Sequence, residues 1–191
     1  LYGLNIANAD AAAATLGLIG TVSSTGKITN LSLYAGKIFN SMTFPNITSN
    51  GILAGSNLGV LKNISILGSD LTGLSNVGLI AGYNNGIISD SNISTSTILA
   101  SNSVGSIAGL NDTTGKILRN DSEANISAGS TPSTFSQFGG VAGYNAGLID
   151  QNRYDGEMTF TTIQSTALTG LRAGGLVGYN TGTLTNSYVD N

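Results

Sequence analysis

The stretch Gly-Gly-Val-Ala-Gly-Tyr-Asn-Ala-Gly-Leu-Ile at 139–149 recurs as Gly-Leu-Ile-Ala-Gly-Tyr-Asn-Asn-Gly-Ile-Ile at 78–88 and Gly-Gly-Leu-Val-Gly-Tyr-Asn-Thr-Gly-Thr-Leu at 174–184. Weaker copies start at Gly17, Gly51 and Gly105, so successive starts lie 34, 27, 27, 34 and 35 residues apart. Periods of about 20–50 residues mark arrays whose units bury their apolar faces against one another. Within the copy that opens at Gly78, an apolar run precedes the turn Gly82-Tyr83-Asn84-Asn85-Gly86, and two further short runs follow before the next copy. Three short strands per unit, separated by Gly/Asn turns, describe one coil of a three-faced parallel β-helix. No stretch carries a helical apolar stripe. The expected fold is all-β: a right-handed parallel β-solenoid of about six coils of 27–35 residues, the hand following the preference of parallel crossovers.

Aligning the copies sorts their residues by role. Two residues beyond the turn's second glycine stand Ile28, Leu61, Ile88, Ile117, Ile149 and Leu184, an inward aliphatic ladder worth about 1.5–3 kcal/mol per buried side chain. Gly26, Gly59, Gly86, Gly115, Gly147 and Gly182 share one position, which implies either positive φ or close backbone approach. Asn57, Asn84, Asn111, Asn145 and Asn180 form a turn column, with Ser23 in that place in the first copy. Stacked strands lie about 4.8 Å apart, which lets such amides bond along the axis. Tyr83, Tyr144 and Tyr179 precede the asparagines, with Val22, Ser56 and Leu110 in the weaker copies. An aromatic binding strip is one reading of these rings, and a stacked corner ladder is the preferred one.

Composition narrows the function. Charged residues are 9% of the 191, against about 25% in ordinary soluble domains, and the net charge is −3. Without a basic patch or a basic amphipathic helix, nucleic-acid binding and membrane insertion are not expected. The apolar stretch 11–20 is too short to span a bilayer. Cys and His are absent, so disulfides, thiol chemistry, His-based triads and the usual zinc sites are excluded. No cofactor or metal is expected. The acidic residues are scattered, with Asp121/Glu123 and Asp155/Glu157 as close pairs that could share a strand face and act as a carboxylate dyad. Neither pair recurs on an adjacent coil, so the chain is not read as an enzyme, and a glycosidase or lyase is the catalytic alternative. Seven Asn-x-Ser/Thr sequons begin at Asn30, Asn46, Asn63, Asn92, Asn111, Asn120 and Asn125.

Residues 1–191 read as one solenoid segment of a longer protein, with repeats starting near 17, 51, 78, 105, 139 and 174 and without complete caps. Leu4-Asn5-Ile6 resembles the strand that closes a repeat, such as Leu31-Ser32-Leu33. Flanking coils of the same chain are therefore expected neighbours, and open strand edges are expected to favour end-to-end self-association. Extra residues interrupt the repeats around 34–50, 129–138 and 154–172, with a small insertion at 112–114. Insertions in solenoids map to loops and frequently to the binding face. The candidate ligand-contacting residues there are Phe44, Phe135, Phe138, Tyr154, Asp155, Glu157 and Phe160.

The phrase at 174–188, Gly-Gly-Leu-Val-Gly-Tyr-Asn-Thr-Gly-Thr-Leu-Thr-Asn-Ser-Tyr, resembles the GLUG-type repeat of bacterial surface and secreted proteins, and the copy from Gly17 to Leu31 looks like a variant of it. The resemblance implies a segment of a large adhesin or filamentous-haemagglutinin-like exoprotein, located extracellularly or at the bacterial cell surface. Its implied partners are host or bacterial surface glycans or proteins. It supplies no catalytic residue. A pure stalk spacer is the remaining alternative.

Overall fold

A computed structural model describes residues 1–7, 14–40, 48–129, 136–160 and 170–190. Among these residues there is no helix, and the strand pairs are parallel, as between Ala81–Asn84 and Ala108–Asn111. The chain winds as a β-solenoid of about five turns, close to the six expected. The coil that starts at Ala54 shows the plan. Ala54–Asn57 lies in a six-stranded first sheet, Val60–Leu67 in a second sheet, and Asp70–Val77 in a third, after which Gly78 returns the chain to the first.

The aliphatic ladder holds as expected. Ile28 pairs with Leu61, Leu61 with Ile88, Ile88 with Ile117, Ile117 with Ile149 and Ile149 with Leu184. Leu61, Ile88, Ile117 and Ile149 are fully buried. Two residues further on, Asn30, Asn63, Asp90, Arg119, Gln151 and Asn186 all adopt left-handed backbone, with φ from 47° to 58°. That column is the corner at which each coil bends within the second sheet. A second left-handed corner, Ala35, Gly68 and Thr95, leads into the third sheet.

The turn glycines answer the question their recurrence raised. Their φ is not left-handed, so close approach is what requires them. A Cβ on Gly86 would lie 2.1 Å from the Gly59 carbonyl oxygen, and one on Gly182 would lie 2.2 Å from that of Gly147. Real Cβ atoms do not approach backbone oxygen so closely, and the coils could not stack at strand spacing with a side chain there.

Beside these glycines runs the amide ladder. Each Asn Nδ2 donates to the Oδ1 of the next coil: Asn57 to Asn84 at 2.8 Å, then Asn84 to Asn111, Asn111 to Asn145 and Asn145 to Asn180, each at 2.7 Å. Asn57, Asn84, Asn111 and Asn145 are completely buried, and burial of unpaired amides would be costly. In the first copy the ladder position belongs to Val22, not Ser23, and Thr21 precedes it. The reason is one residue fewer ahead of it: Leu16 pairs with Asn50 but Ile19 with Ala54, so 17–18 span what 51–53 span in the next coil. After Val22 a two-residue insertion lengthens the turn, where Gly26 N–H bonds the Ser23 carbonyl at 2.8 Å, as Gly115 N–H bonds that of Asp112 in the fourth copy. The extra residues follow the ladder position in both copies. Leu4-Asn5-Ile6 also sits one strand later than expected, because Asn5–Ala7 pairs with Lys37–Phe39 in the third sheet.

Candidate functional site

The third sheet is interrupted at a common place. In two adjacent coils the third sheet is built from single unbroken strands, Asp70–Val77 and Thr97–Gly105. Elsewhere the same register is split in two. Lys37–Phe39 pairs with the first half of Asp70–Val77, and Asn50 pairs with its last residue, Val77. Likewise Asn125–Ala128 pairs with the first half of Thr97–Gly105, while Phe138 and Gly139 pair with Val104 and Gly105 at its end. Asn5–Ala7 with Thr15–Leu16, and Met158–Thr159 with Arg172–Gly174, repeat the split. The described strands that flank 8–13, 41–47, 130–135 and 161–169 in sequence therefore share one break, partway along the third-sheet strands. Residues 8–13 precede the first recognisable repeat, so repeat alignment alone did not find that break.

The candidate residues fare differently from one another. Phe44 and Phe135 lie outside the described residues. Phe138 is fully buried, packing edge-on against the partly buried Phe160 at 5.2 Å between ring centroids. Tyr154 is also buried; its hydroxyl donates to the Ala124 carbonyl at 3.0 Å. Burial, and secondarily the Glu157 charge, raises the Tyr154 pKa. These two rings are therefore core groups and not surface contacts. The physical reason is register: Phe138 occupies the column of Val77 and Val104, and Tyr154 that of Leu33, Ile66, Ile93 and Ser122. Small Ser122 below and Gly140 beside it leave space for the Tyr154 ring. Asp155 and Glu157 do reach the surface, at the rim of a recess of about 430 Å³ that also touches Met158, Gly175 and Val189.

The carboxylates are engaged with cations. Arg153 binds Asp121 through Nη1 and Asp190 through Nε, both at 3.0 Å, and Asp155 through Nη2. Asp121, Arg153 and Asp190 come from three successive coils, so this guanidinium ties coils together. Arg119 bonds Asp90 at 2.6 Å, and Lys62 lies 3.6 Å from the same carboxylate. The Arg119 hydrogen bond holds the Asp90 carboxyl below its ordinary value. Asp121 and Asp155, one from each candidate dyad, thus face a common arginine from different coils. Of the sequon asparagines, Asn30, Asn63, Asn92 and Asn125 are exposed, Asn111 and Asn120 are buried, and Asn46 lies outside the described residues.

The outer side of the first sheet carries the aromatic column. Thr21, Ser56, Tyr83, Leu110, Tyr144 and Tyr179 stand in register on six successive strands. The Tyr83 hydroxyl donates to Asp112, and burial with that carboxylate raises its pKa to about 12. Tyr144 and Tyr179 lie 5.5 Å apart between centroids, tilted by 56°, and the Tyr144 hydroxyl shares a 3.1 Å hydrogen bond with Thr181. Above the Tyr179 ring sits the guanidinium of Arg172, its carbon 3.9 Å from the centroid. Arg172 pairs in register with Gln137 and lies three residues after Thr169 in the sequence. The corner ladder expected for these tyrosines is present, and its outer edge is exposed at Tyr179. Arg172 was not among the sequence candidates. Its signal was isolation: it is the one charged residue between Glu157 and Asp190.

Comparison with known families gives one match, the GLUG motif, at residues 169–191. That span holds the last copy of the phrase, including Arg172 and Tyr179. The five earlier copies occupy the same strand positions in the first sheet. No curated protein and no solved structure matches the chain. The motif and the β-solenoid fold fit a repeat segment of a surface or secreted protein.

Proposed function

We propose that this chain is a structural and adhesive segment of a bacterial cell-surface or secreted protein, acting outside the cell and without catalysis. The solenoid is the scaffold, and the inserted segments are its contact elements for host or bacterial surface glycans or proteins. The observation that carries this reading is the shared break: the described strands flanking 8–13, 41–47, 130–135 and 161–169 in sequence pair with the two ends of one third-sheet strand position. A spacer needs no insertions, and the two coils built without them show that the fold closes unaided. Loops clustered on a fixed scaffold are a recurrent way to build a binding face.

The test is attachment of the purified chain to bacterial and host-cell surfaces and to a glycan array. It is paired with a variant in which 41–47, 130–135 and 161–169 are shortened to match the unbroken coils. Attachment by the parent and its loss in the variant are expected. Equal attachment by both, or none by either, would favour the spacer. Depolymerisation of a polysaccharide by the chain would point instead to a carbohydrate-cleaving β-helix.

A further inference from the structure

Arginine is used three times in the chain, and two of the three are neutralised: Arg119 by Asp90 and Arg153 by Asp121, Asp155 and Asp190. Arg172 differs. Among the described residues it forms no ion pair: of the acidic residues in its own coil, Asp155 is taken by Arg153, and Asp150 bonds Thr185 and Asn186. Its side chain is exposed, with the guanidinium carbon 3.9 Å from the centroid of the Tyr179 ring, a cation–π contact that restrains the fork, and among the described residues no hydrogen bond engages the guanidinium N–H groups. Tyr144 adjoins that ring, and its hydroxyl is held by Thr181.

We infer that Arg172, Tyr179 and Tyr144 form a subsite for a carboxylate-bearing sugar. The inference rests on the adhesive reading and names its ligand class. A planar guanidinium with a free fork matches a carboxylate through two parallel hydrogen bonds. One cation neutralises one carboxylate, whereas a phosphate group carries about −1.5 to −2 charges and would stay half-compensated. The tyrosine edges and the Tyr144 and Thr181 hydroxyls suit a ring that has both apolar C–H groups and hydroxyls, since aromatic side chains pair an apolar body with a polar tip. An acidic peptide offers the carboxylate but not that ring.

The experiment titrates the full chain with trigalacturonate, a hexuronate source, and with 3′-sialyllactose, a terminal nonulosonate source. Lactose and a hexaglutamate peptide are the comparators. One or both acidic sugars should bind, with affinity falling as salt rises, and lactose should not. Arg172→Gln should weaken binding at least about tenfold through loss of the charge-assisted pair. Arg172→Lys, which keeps the charge without the fork, should also weaken it, and Tyr144→Leu should do so by a smaller factor. The inference is overturned if neither acidic sugar binds, if Arg172→Gln binds as the parent does, or if hexaglutamate binds as tightly as the sugars. Should cell attachment depend on the inserted segments while neither acidic sugar binds, the subsite fails and the adhesive reading stands. Should Arg172-dependent sugar binding occur without any cell attachment, the subsite stands and the adhesive reading fails.

Discussion

Tyr144 and Asn145 are neighbours in the chain, yet they belong to columns that obey different rules. The inner column is Asn on five of the six strands of the first sheet; Asn57, Asn84, Asn111 and Asn145 are buried and each donates to the next, while Asn180 ends the ladder exposed. The outer column accepts Thr21, Ser56, Tyr83, Leu110, Tyr144 and Tyr179. The two differ in what surrounds them. Inside, a side chain must supply a donor and an acceptor at strand spacing, and asparagine does both with one group. Outside, water satisfies whatever is placed there. Uniformity within a repeat protein therefore marks geometric necessity, and variation marks the positions that the fold leaves free.

Substitutions can break that distinction. The largest effect is expected for Asn111→Ala, which removes both ladder bonds of Asn111 and opens a void in a dry corner, at about 3–4 kcal/mol together. It leaves the Asn84 Nδ2 only its longer bonds to the Gly86 and Lys116 carbonyls, and the Asn145 Oδ1 only Gly147 N–H. Denaturant unfolding should show the loss. Gly86→Ala comes next: its Cβ meets the Gly59 oxygen, and relief requires backbone movement at a cost of about 2–3 kcal/mol. Tyr144→Ala should cost about 1 kcal/mol, the value of one ring pair on a wet surface. If Tyr144→Ala matched Asn111→Ala, the outer column would be structural after all.

A pH titration sharpens the contrast with the smallest effect. Asp70, Asp90 and Asp150 all have carboxyl pKa values lowered from 3.8, chiefly by hydrogen bonds from Thr97, Arg119 and Asn186 respectively. A lowered folded-state pKa gives stability that is present above the unfolded value and lost as pH falls through the folded one. The melting temperature should stay level from neutral pH to about 4 and decline below it. Because the amide ladder does not titrate, Asn111→Ala should keep its deficit at every pH.

Most of the body of the fold was legible in the residues. The six aliphatics after the turn predicted their own pairing, since a column facing inward must be apolar in every coil. The first-copy ladder was misread by one position because the first copy has one residue fewer between Leu16 and Ile19 than the second has between Asn50 and Ala54, so counting from Gly17 overshoots Val22 by one. Phe138 and Tyr154 were misread as loop residues for a related reason: an aromatic where other copies hold Val or Ile looks foreign to the repeat. Counting back one residue from Gly139, or forward five from Ile149, places both rings in core columns. Arg172 escaped notice because pairwise spacing cannot show a cation lying over a ring seven residues ahead. Only the register that brings the third sheet against the first makes that contact visible.

The ladder bonds and strand hydrogen bonds alike run along the solenoid axis, from one coil to the next. Tension applied between the ends therefore loads the interfaces in series, and the weakest one opens first while its neighbours hold. Each coil of 27 residues that peels away releases about 90 Å of extended chain in place of one strand spacing. Under load such a rod lengthens stepwise and dissipates work at each step, the behaviour of a mechanical damper.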